Sequence, residues 1–426
     1  MRLLFVNRYA YPDSSATAQM LTDLAEELDR RGAVVTIVAG DAPYLDGAGR
    51  LAPHERYRGI TIWRVRGSSW GRRRLLGRAA DYASFYLLAA WTVLRLPRPD
   101  CLIVMSDPPL LSVLAAVVGW VKRCPSVCWL QDVFPDIAVR ARVLSDGVVA
   151  RWLRRLARWS LNHLDRTIVL GRCMQRHLTS QGVQASRLIC IPNWADGVRI
   201  HPLEEAAENE FAVAYGLHGQ FVVMYAGNLG IVHEVETLVG LLRSTAALER
   251  VVFCFVGHGG RLREIKEAAF REGWRHVRFL PHQSRARLQR TLSAAHVHMV
   301  TLRSDMAGLS VPSKLYGIMA AGRPVLFIGP ETSETAMVIH EAGCGYVVRP
   351  GDVRSAEQIL RRGLENDREL HAKGQAGRNY FDRYGNRPMA ADRFWHVLNE
   401  IMPRGVGADG ARGKHSSRLV SPRGTT

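Results

Sequence analysis

Short apolar runs alternate with helical segments along most of this chain, and that alternation constrains its fold more than any other feature. The first unit joins an apolar run at Leu3–Val6 to helical spacing over Ala18–Arg31 and a second run at Val34–Val38. A strand, a helix and a strand of these lengths are typical of a Rossmann-like unit with a parallel sheet. The loop from Asn7 to Thr17 contains no G-x-G-x-x-G motif, so it carries no dinucleotide fingerprint.

A second alternating series follows a polar, acidic segment near residue 200. The apolar runs Phe221–Tyr225 and Val251–Val256 are each followed by a glycine-rich turn, at Gly227–Gly230 and Gly257–Gly260. Two such turns in one sheet indicate a phosphate-bearing ligand, because glycine lets a ligand approach the backbone closely. We therefore predict an α/β fold with two Rossmann-like domains.

The predicted domain boundaries follow these two series. We expect an N-terminal domain over residues 1–195, a C-terminal domain over 196–385 and a final helical segment over 386–402. The segment at 40–58 is expected to be loop, and the Gly/Ser/Arg-rich tail at 403–426 is expected to be disordered.

The stretch from Gly308 to Val325 is the most informative joint in the second series. Ser313 and Lys314 precede a short apolar segment, Leu315–Ala321, that is predicted to be helical. The start of a helix favours an anion, because its backbone N–H groups and dipole point there. These residues alone are equally compatible with a capped helix whose lysine is solvated.

Positive charge is concentrated in the first half of the chain. The 57 Lys and Arg and 39 Asp and Glu give a net charge of +18, of which residues 1–195 contribute +12. The segment Arg64–Arg78 holds six arginines and no acid, with Trp63 and Trp70 interleaved. Such a run suits an anionic membrane surface, but a solvated loop explains it equally well. Nucleic acid is an unlikely partner, since no reader motif accompanies the charge.

Cysteine usage and hydropathy set the expected compartment. Seven scattered cysteines with no Cys-x-x-Cys spacing suggest reduced, structural residues in the cytoplasm. Neither a signal-peptide pattern nor an apolar run long enough to span a bilayer is visible. No metal-ligand spacing is seen, so we expect neither a metal nor another cofactor.

Several motifs together resemble a known family. They are YPDSSATAQMLTDLAEELDRRGAVVTIVAG, SDPPLLSVLAA, QDVFPD, IPNWAD, AGNLG followed by ETL, VGHGG, and PSKLYGIMAAGRPV. Across about residues 1–400 the chain resembles the retaining family-four GT-B glycosyltransferases. Within them it is most similar to the bacterial colanic-acid and O-antigen subgroup that includes N-acetylfucosaminyl transferase-like enzymes.

The resemblance implies a GT-B fold with a central cleft and a C-terminal helix that packs back on the first domain. It implies retaining sugar transfer from a nucleotide-diphosphate sugar to an acceptor, often a sugar on a polyprenyl pyrophosphate. The protein would then be peripheral at the inner face of the cell membrane, as an enzyme of polysaccharide or lipopolysaccharide biosynthesis. The second domain would hold the donor and the first the acceptor.

Candidate residues follow from these motifs. Asp132 and Lys314 are the candidate catalytic residues, and Asp132 also belongs to the acceptor set. The other acceptor candidates are Ser14, Ser15 and Thr17, and the donor candidates are Gly227, Asn228, Gly230, Gly257, Gly259, Ser313 and Lys314.

The chain also departs from the family pattern. Asn228 and His233 stand where the family commonly has an arginine and a lysine, and Gln131 replaces a histidine. The two family glutamates align with Leu309 and Gly317, so the usual ribose-binding carboxylate is missing. Lys314 is consequently the main cationic candidate for the diphosphate.

Two alternative functions remain compatible with the sequence. The first is a nucleotide-sugar 2-epimerase on the same fold, in which Asp132 and His258 would serve as acid and base. The second is a protein that binds a membrane or nucleic acid without catalysis.

Overall fold

The computed structural model of the protein describes residues 1–44, 49–68, 70, 75–203 and 209–402. The tail at 403–426, predicted to be disordered, lies outside these residues. So does the middle of the Arg64–Arg78 run, at 69 and 71–74.

The first sheet has eight strands in the order β3-β4-β2-β1-β5-β6-β7-β8. All neighbouring strands are parallel except β3, which pairs antiparallel with β4 at the edge. Strands β5 and β6 are buried throughout, as expected for a parallel sheet covered on both faces. The strands are β1 (Arg2–Val6), β2 (Val34–Gly40), β3 (His54–Tyr57), β4 (Ile60–Val65), β5 (Cys101–Val104), β6 (Ser126–Trp129), β7 (Arg166–Val169) and β8 (Leu188–Cys190).

Helices cover both faces of this sheet. Right-handed crossovers place α1 on one face, while α2, α3 and α5 lie together on the other. The helices are α1 (Ala16–Arg30), α2 (Leu75–Arg95), α3 (Leu111–Lys122), α4 (Asp136–Arg140), α5 (Val148–His163) and α6 (Arg172–Ser180). Among the described helices, none is both long and apolar enough to cross a membrane.

The second sheet has six parallel strands in the order β11-β10-β9-β12-β13-β14. Its strands are β9 (Phe221–Ala226), β10 (Val251–Val256), β11 (Val277–Leu280), β12 (Val297–Thr301), β13 (Val325–Ile328) and β14 (Gly345–Val348). Its helices are α7 (Glu210–Ala214), α8 (Glu236–Ser244), α9 (Leu262–Glu272), α10 (Leu288–Ser293), α11 (Lys314–Ala320), α12 (Glu334–Ala342), α13 (Val353–Glu365) and α14 (Asp367–Tyr384). The prediction of two Rossmann-like units is confirmed, whereas the domain boundaries stay predictions.

The last helix, α15 (Arg387–Ile401), returns to the first unit as predicted. Its Phe394 packs edge-on against Trp129 of β6, with ring centroids 4.9 Å apart. Just before it, the amide of Ala195 donates to Gly385, and the amide of Arg387 donates back to Ala195. The two chain crossings between the sheets are therefore hydrogen-bonded to each other.

Two local expectations are wrong. Residues 40–58 were expected to be loop, but His54–Tyr57 forms the edge strand β3, because β4 offers it a free hydrogen-bonding edge. Arg64 was expected on an exposed basic run, but its side chain is 1% exposed and pairs with Glu55 at 2.6 Å. Its guanidinium also donates to the carbonyl of Ala52, so this arginine holds the sheet edge together.

Candidate active site

Lys314 begins α11 and extends to the carboxyl end of β9. Its Nζ donates to the Tyr225 hydroxyl and lies 3.4 Å from the carbonyl oxygen of Asn228. Nζ also lies 3.7 Å from the centroid of the Tyr225 ring, a cation–π distance. The residue keeps some exposed surface, yet protein surrounds its ammonium group, and this burial lowers the pKa of Lys314 to about 7.

The two glycine-rich turns pack against each other beneath this lysine. A Cβ on Gly257 would lie 2.7 Å from the carbonyl oxygen of Gly227, and one on Gly259 would lie 2.3 Å from that of Leu229. Both glycines also have positive φ values. A side chain at either position is therefore disfavoured both by lack of space and by the backbone conformation. A Cβ on Gly227 would lie 3.7 Å from Cε of Lys314. The lysine side chain therefore lies next to the backbone of Gly227.

Some amides of these turns are already used. Gly227 donates to Val256, Leu229 to His258, and Gly257 to Leu280. These three amides are therefore occupied by backbone carbonyls, and Gly227 and Gly257 contribute shape to the site. Gly230 follows in the same turn, where a Cβ would meet the Asn228 amide nitrogen at 3.4 Å.

Ser313 stands directly before α11 and is half-buried. Its side chain makes no capping hydrogen bond to this seven-residue helix. Its hydroxyl is not used to cap the helix, and Ser313 stays a candidate donor-side residue.

Asp132 follows β6 and links the first sheet to the segment that leads to Lys314. It forms an antiparallel bridge with Ser310, and the amide of Val133 donates to Leu309 at 2.8 Å. Water reaches Asp132, but the protein around it raises the pKa of its carboxyl by desolvation, while the Ser310 hydrogen bond opposes that rise. The fold thereby brings the two candidate catalytic segments together from different sheets.

The acceptor candidates before α1 differ in their roles. The Ser15 hydroxyl caps α1 by accepting from the amide of Ala18 at 3.4 Å, which gives this residue a structural function. The carbonyl of Ser14 accepts a hydrogen bond from Gln19. Ser14 and Thr17 are half-buried at the start of the helix and stay candidates for acceptor contact.

Arg8, which sequence reasoning missed, follows β1 at the same edge of the first sheet. Its guanidinium carbon lies 5.5 Å from the ring centroid of Tyr9 and 5.1 Å from that of Tyr82. No carboxylate of the described chain lies within ion-pair distance of Arg8. The available signal was that Arg8 is the one cationic residue in the loop over residues 7–17.

Two of the residues that depart from the family pattern, His233 and Gly317, can be located in the structure. His233 is buried and its Nδ1 lies 2.8 Å from the carbonyl oxygen of Thr301, and burial lowers the pKa of His233 to about 3. A neutral histidine cannot supply the charge of the family lysine, so Lys314 stays the main cationic candidate for the diphosphate. A Cβ on Gly317 would meet Leu292 at 3.5 Å.

Two families of known proteins match the two halves of the chain separately. A Glycosyl transferase 4-like domain matches residues 15–194, and a Glycosyl transferases group 1 domain matches residues 208–380. The probable glycosyltransferase WbjE of Pseudomonas aeruginosa is 27% identical over 333 residues, which cover 78% of this chain and 82% of WbjE. The putative colanic acid biosynthesis glycosyl transferase WcaI of Escherichia coli K12 is 24% identical, covering 85% of this chain and 92% of WcaI.

A solved structure shows the same fold. The crystal structure of HepE from Anabaena in complex with UDP has a TM-score of 0.71 at 16% identity and covers 94% of this chain and 100% of its own. These matches favour neither the epimerase nor the non-catalytic alternative. The family models, the relatives and the fold agree that this chain belongs to the family-four GT-B glycosyltransferases, enzymes that act on a nucleotide sugar.

Proposed function

We propose that this enzyme transfers a sugar, with retention at the anomeric carbon, to a hydroxyl of a polyprenyl-pyrophosphate-linked sugar in surface polysaccharide biosynthesis. The observation that carries the proposal is that Asp132, after a strand of the first sheet, pairs with Ser310, four residues before Lys314, whose ammonium group lies at the end of β9 in the second sheet. WcaI is named for colanic acid biosynthesis, and HepE has been crystallised with UDP and with UDP-glucose. The name of WcaI supports a polysaccharide product, and the HepE complexes support a sugar-nucleotide donor.

The donor half supplies charge where the leaving group forms. As the bond between the anomeric carbon and the phosphate oxygen breaks, negative charge builds on the diphosphate, and Lys314 stabilises it. The hydroxyl of Ser313 and the backbone at Gly227–Gly230 and Gly257–Gly260 complete the proposed phosphate site. The departing phosphate takes the acceptor proton on the same face, so no side-chain base is required. A metal ion is not needed either if Lys314 and the backbone of the turns stabilise the diphosphate.

The proposed acceptor site has polar groups at the carboxyl ends of the strands of the first sheet. We place the acceptor hydroxyl at Asp132, whose carboxylate orients it, and its sugar near Ser14 and Thr17. Arg8 is the proposed partner of the acceptor pyrophosphate, since its charge is not neutralised by a described carboxylate. A lipid-linked acceptor also places the enzyme peripherally at the inner face of the cell membrane.

A donor screen tests the proposal directly. Purified enzyme is incubated with UDP- and GDP-sugars, with and without a polyprenyl-pyrophosphate sugar, and nucleotide release and the anomeric configuration of the product are measured. We expect release that depends on the lipid-linked acceptor and a product with the configuration of the donor. Transfer to a free sugar alone, or an inverted product, would contradict the acceptor or the retention.

Donor binding should depend on pH through Lys314. Bound diphosphate favours the charged lysine, whose pKa in the free enzyme is about 7, so binding takes up a proton at higher pH. Affinity for the sugar nucleotide should therefore fall by up to about tenfold per pH unit above neutrality. Isothermal titration calorimetry in buffers of different ionisation enthalpy measures both the affinity and the proton uptake. A Lys314→Met variant should bind weakly with no pH dependence, and an unchanged profile in that variant would assign the proton to another group.

Replacing Arg8 should affect the acceptor and not the donor. In Arg8→Gln we expect the KM for the lipid-linked acceptor to rise about tenfold to a hundredfold, as for a lost charge-assisted contact. The KM for the sugar nucleotide should not change. Arg56→Gln on the edge strand β3 is the matched control, because Arg56 is exposed. Equal acceptor kinetics in Arg8→Gln and wild type would remove Arg8 from the site.

A further inference from the structure

Exposed apolar side chains are concentrated on three helices of the first unit. Trp120 of α3 is 81% exposed, Trp152 of α5 is 58% exposed and Trp91 of α2 is 55% exposed. The other exposed apolar residues on these helices are Leu87, Leu88, Leu94, Val117, Val121, Val148, Val149 and Trp159. We call this set, with the three tryptophans, the apolar helical face.

The three helices form one layer. They lie on the same side of the first sheet, where α2 contacts α3 and α3 contacts α5. The Ser112 and Ser160 hydroxyls join α3 to α5 at 2.8 Å. Because the inner sides of these helices pack on the sheet, their exposed residues point away from it and share one outer surface.

This surface is strongly basic as well as apolar. The three helices contain seven Lys or Arg and one Asp, and that residue, Asp81, is buried. The guanidinium of Arg95 lies 4.1 Å from the centroid of the Trp91 ring. Arg151 and Arg155 are exposed, and within the described chain neither is paired with a carboxylate.

We infer that the apolar helical face docks on an anionic lipid bilayer. Tryptophan rings and arginines on one face suit the headgroup region, where the rings insert and the cations meet lipid phosphates. The absence of exposed acids from the described residues of these helices makes the charge complementary to anionic lipid, whereas two copies of this face would repel each other. The charge of this face therefore favours an anionic bilayer over a second copy of the chain as its partner.

The docking face is connected to the candidate acceptor site. Arg154 of α5 binds Asp136 at 2.6 Å, and Asp136 begins α4 directly after the loop that carries Asp132. A pocket between α3, α5 and this loop is lined by Leu111, Leu161, Arg154 and Asp132 among others. Docking would hold the acceptor side of the cleft beside the membrane; this purpose, unlike the docking itself, rests on the proposed lipid-linked acceptor.

Vesicle co-sedimentation tests the docking without any acceptor or donor. The probes are vesicles of phosphatidylcholine alone and of phosphatidylcholine with phosphatidylglycerol. The wild type should prefer the anionic vesicles. The triple variant Trp91→Ser, Trp120→Ser, Trp152→Ser should bind them at least about tenfold more weakly, since apolar insertion is lost. In the double variant Arg151→Gln, Arg155→Gln, the affinity for anionic vesicles should fall roughly fivefold per arginine, and the preference for anionic lipid should be lost.

The control is Phe270→Ser on α9, because Phe270 is 91% exposed but lies in the second unit. It should bind vesicles as the wild type does. Undiminished sedimentation of the triple variant would overturn the inference. So would a wild type that ignores vesicles but forms dimers, by analytical ultracentrifugation, that the triple variant does not form. Transfer to a water-soluble acceptor analogue should survive in the triple variant, so a failure of docking and a failure of the proposed reaction give different results.

Discussion

Replacing Lys314 with alanine should lower the rate of sugar transfer by about a hundredfold to a thousandfold, the usual effect of removing one preorganised charge-stabilising group. The ammonium group lies at the carboxyl end of β9, against Tyr225 and above the bare backbone of Gly227. The neighbouring His233 is neutral because of its burial, so it cannot substitute for the lost charge. The measurement is the initial rate of nucleotide release with donor and acceptor at saturation.

Lys373→Ala is a matched control for this variant. Lys373 is also half-buried in the second unit, with its Nζ 4.6 Å from the centroid of the Tyr346 ring, but it lies on α14. Its replacement should leave the transfer rate unchanged. Full activity of Lys314→Ala would exclude Lys314 from the phosphate site.

Binding measurements separate a phosphate role of Lys314 from a general disturbance of the site. The Lys314→Ala variant should bind a nucleoside diphosphate much more weakly than the wild type does. Its affinity for the free nucleoside should be unchanged, because the nucleoside carries no phosphate for the lysine to contact. Equal losses for both ligands would instead indicate that the variant deforms the nucleoside pocket.

Strand ends are the part of the site that the sequence specifies best. In a parallel sheet the carboxyl ends of the strands share one edge, so the alternation of strands and helices is enough to place the turns after β9 and β10 together. The same argument predicts the Asp132 loop as a candidate, because it follows strand β6. The environment of Lys314 was not predictable, because Tyr225 lies on a strand that is distant in sequence.

Residues that act through tertiary contacts were missed. Arg8 lies in a loop whose sequence points to its hydroxyl groups, and its contact with Tyr82 depends on how α2 crosses the sheet. The apolar helical face was also hidden, because a segment such as Ala79–Leu96 has the composition of a buried helix. Only the packing of the layer shows that Trp91 and Leu87 are directed outward.

Arg387 forms a buried cluster of ion pairs that no pattern in the sequence indicates. It begins α15 with a side chain only 5% exposed, surrounded by four carboxylates at 2.9–3.4 Å. Three of them, Asp23, Glu26 and Glu27, belong to α1, and Asp196 belongs to the crossing between the sheets. Arg285 of the second unit reaches Asp23 as well, at 2.7 Å from both carboxylate oxygens.

Arg387→Met should destabilise the protein by about 3–5 kcal/mol, because it leaves buried carboxylates without their shared cation. The melting temperature should fall by roughly 5 °C, as measured by differential scanning fluorimetry. Arg31→Ala is the matched control, since Arg31 joins the end of α1 to Asp392 of α15 through a more exposed ion pair at 2.7 Å. Its loss should cost about 1 kcal/mol or less.

The deficit of the Arg387→Met variant should depend on pH with a defined sign. Burial already raises the pKa of Asp23, and removing the nearby Arg387 guanidinium, which lowers it, should raise the pKa of Asp23 further. The folded variant then binds more protons than the unfolded chain, so its stability falls as pH rises. Its deficit relative to the wild type should therefore be smaller at about pH 5 than at about pH 8. A deficit that does not change over this interval would mean that Arg387 stabilises the α1–α15 contact by packing and not by neutralising these four carboxylates.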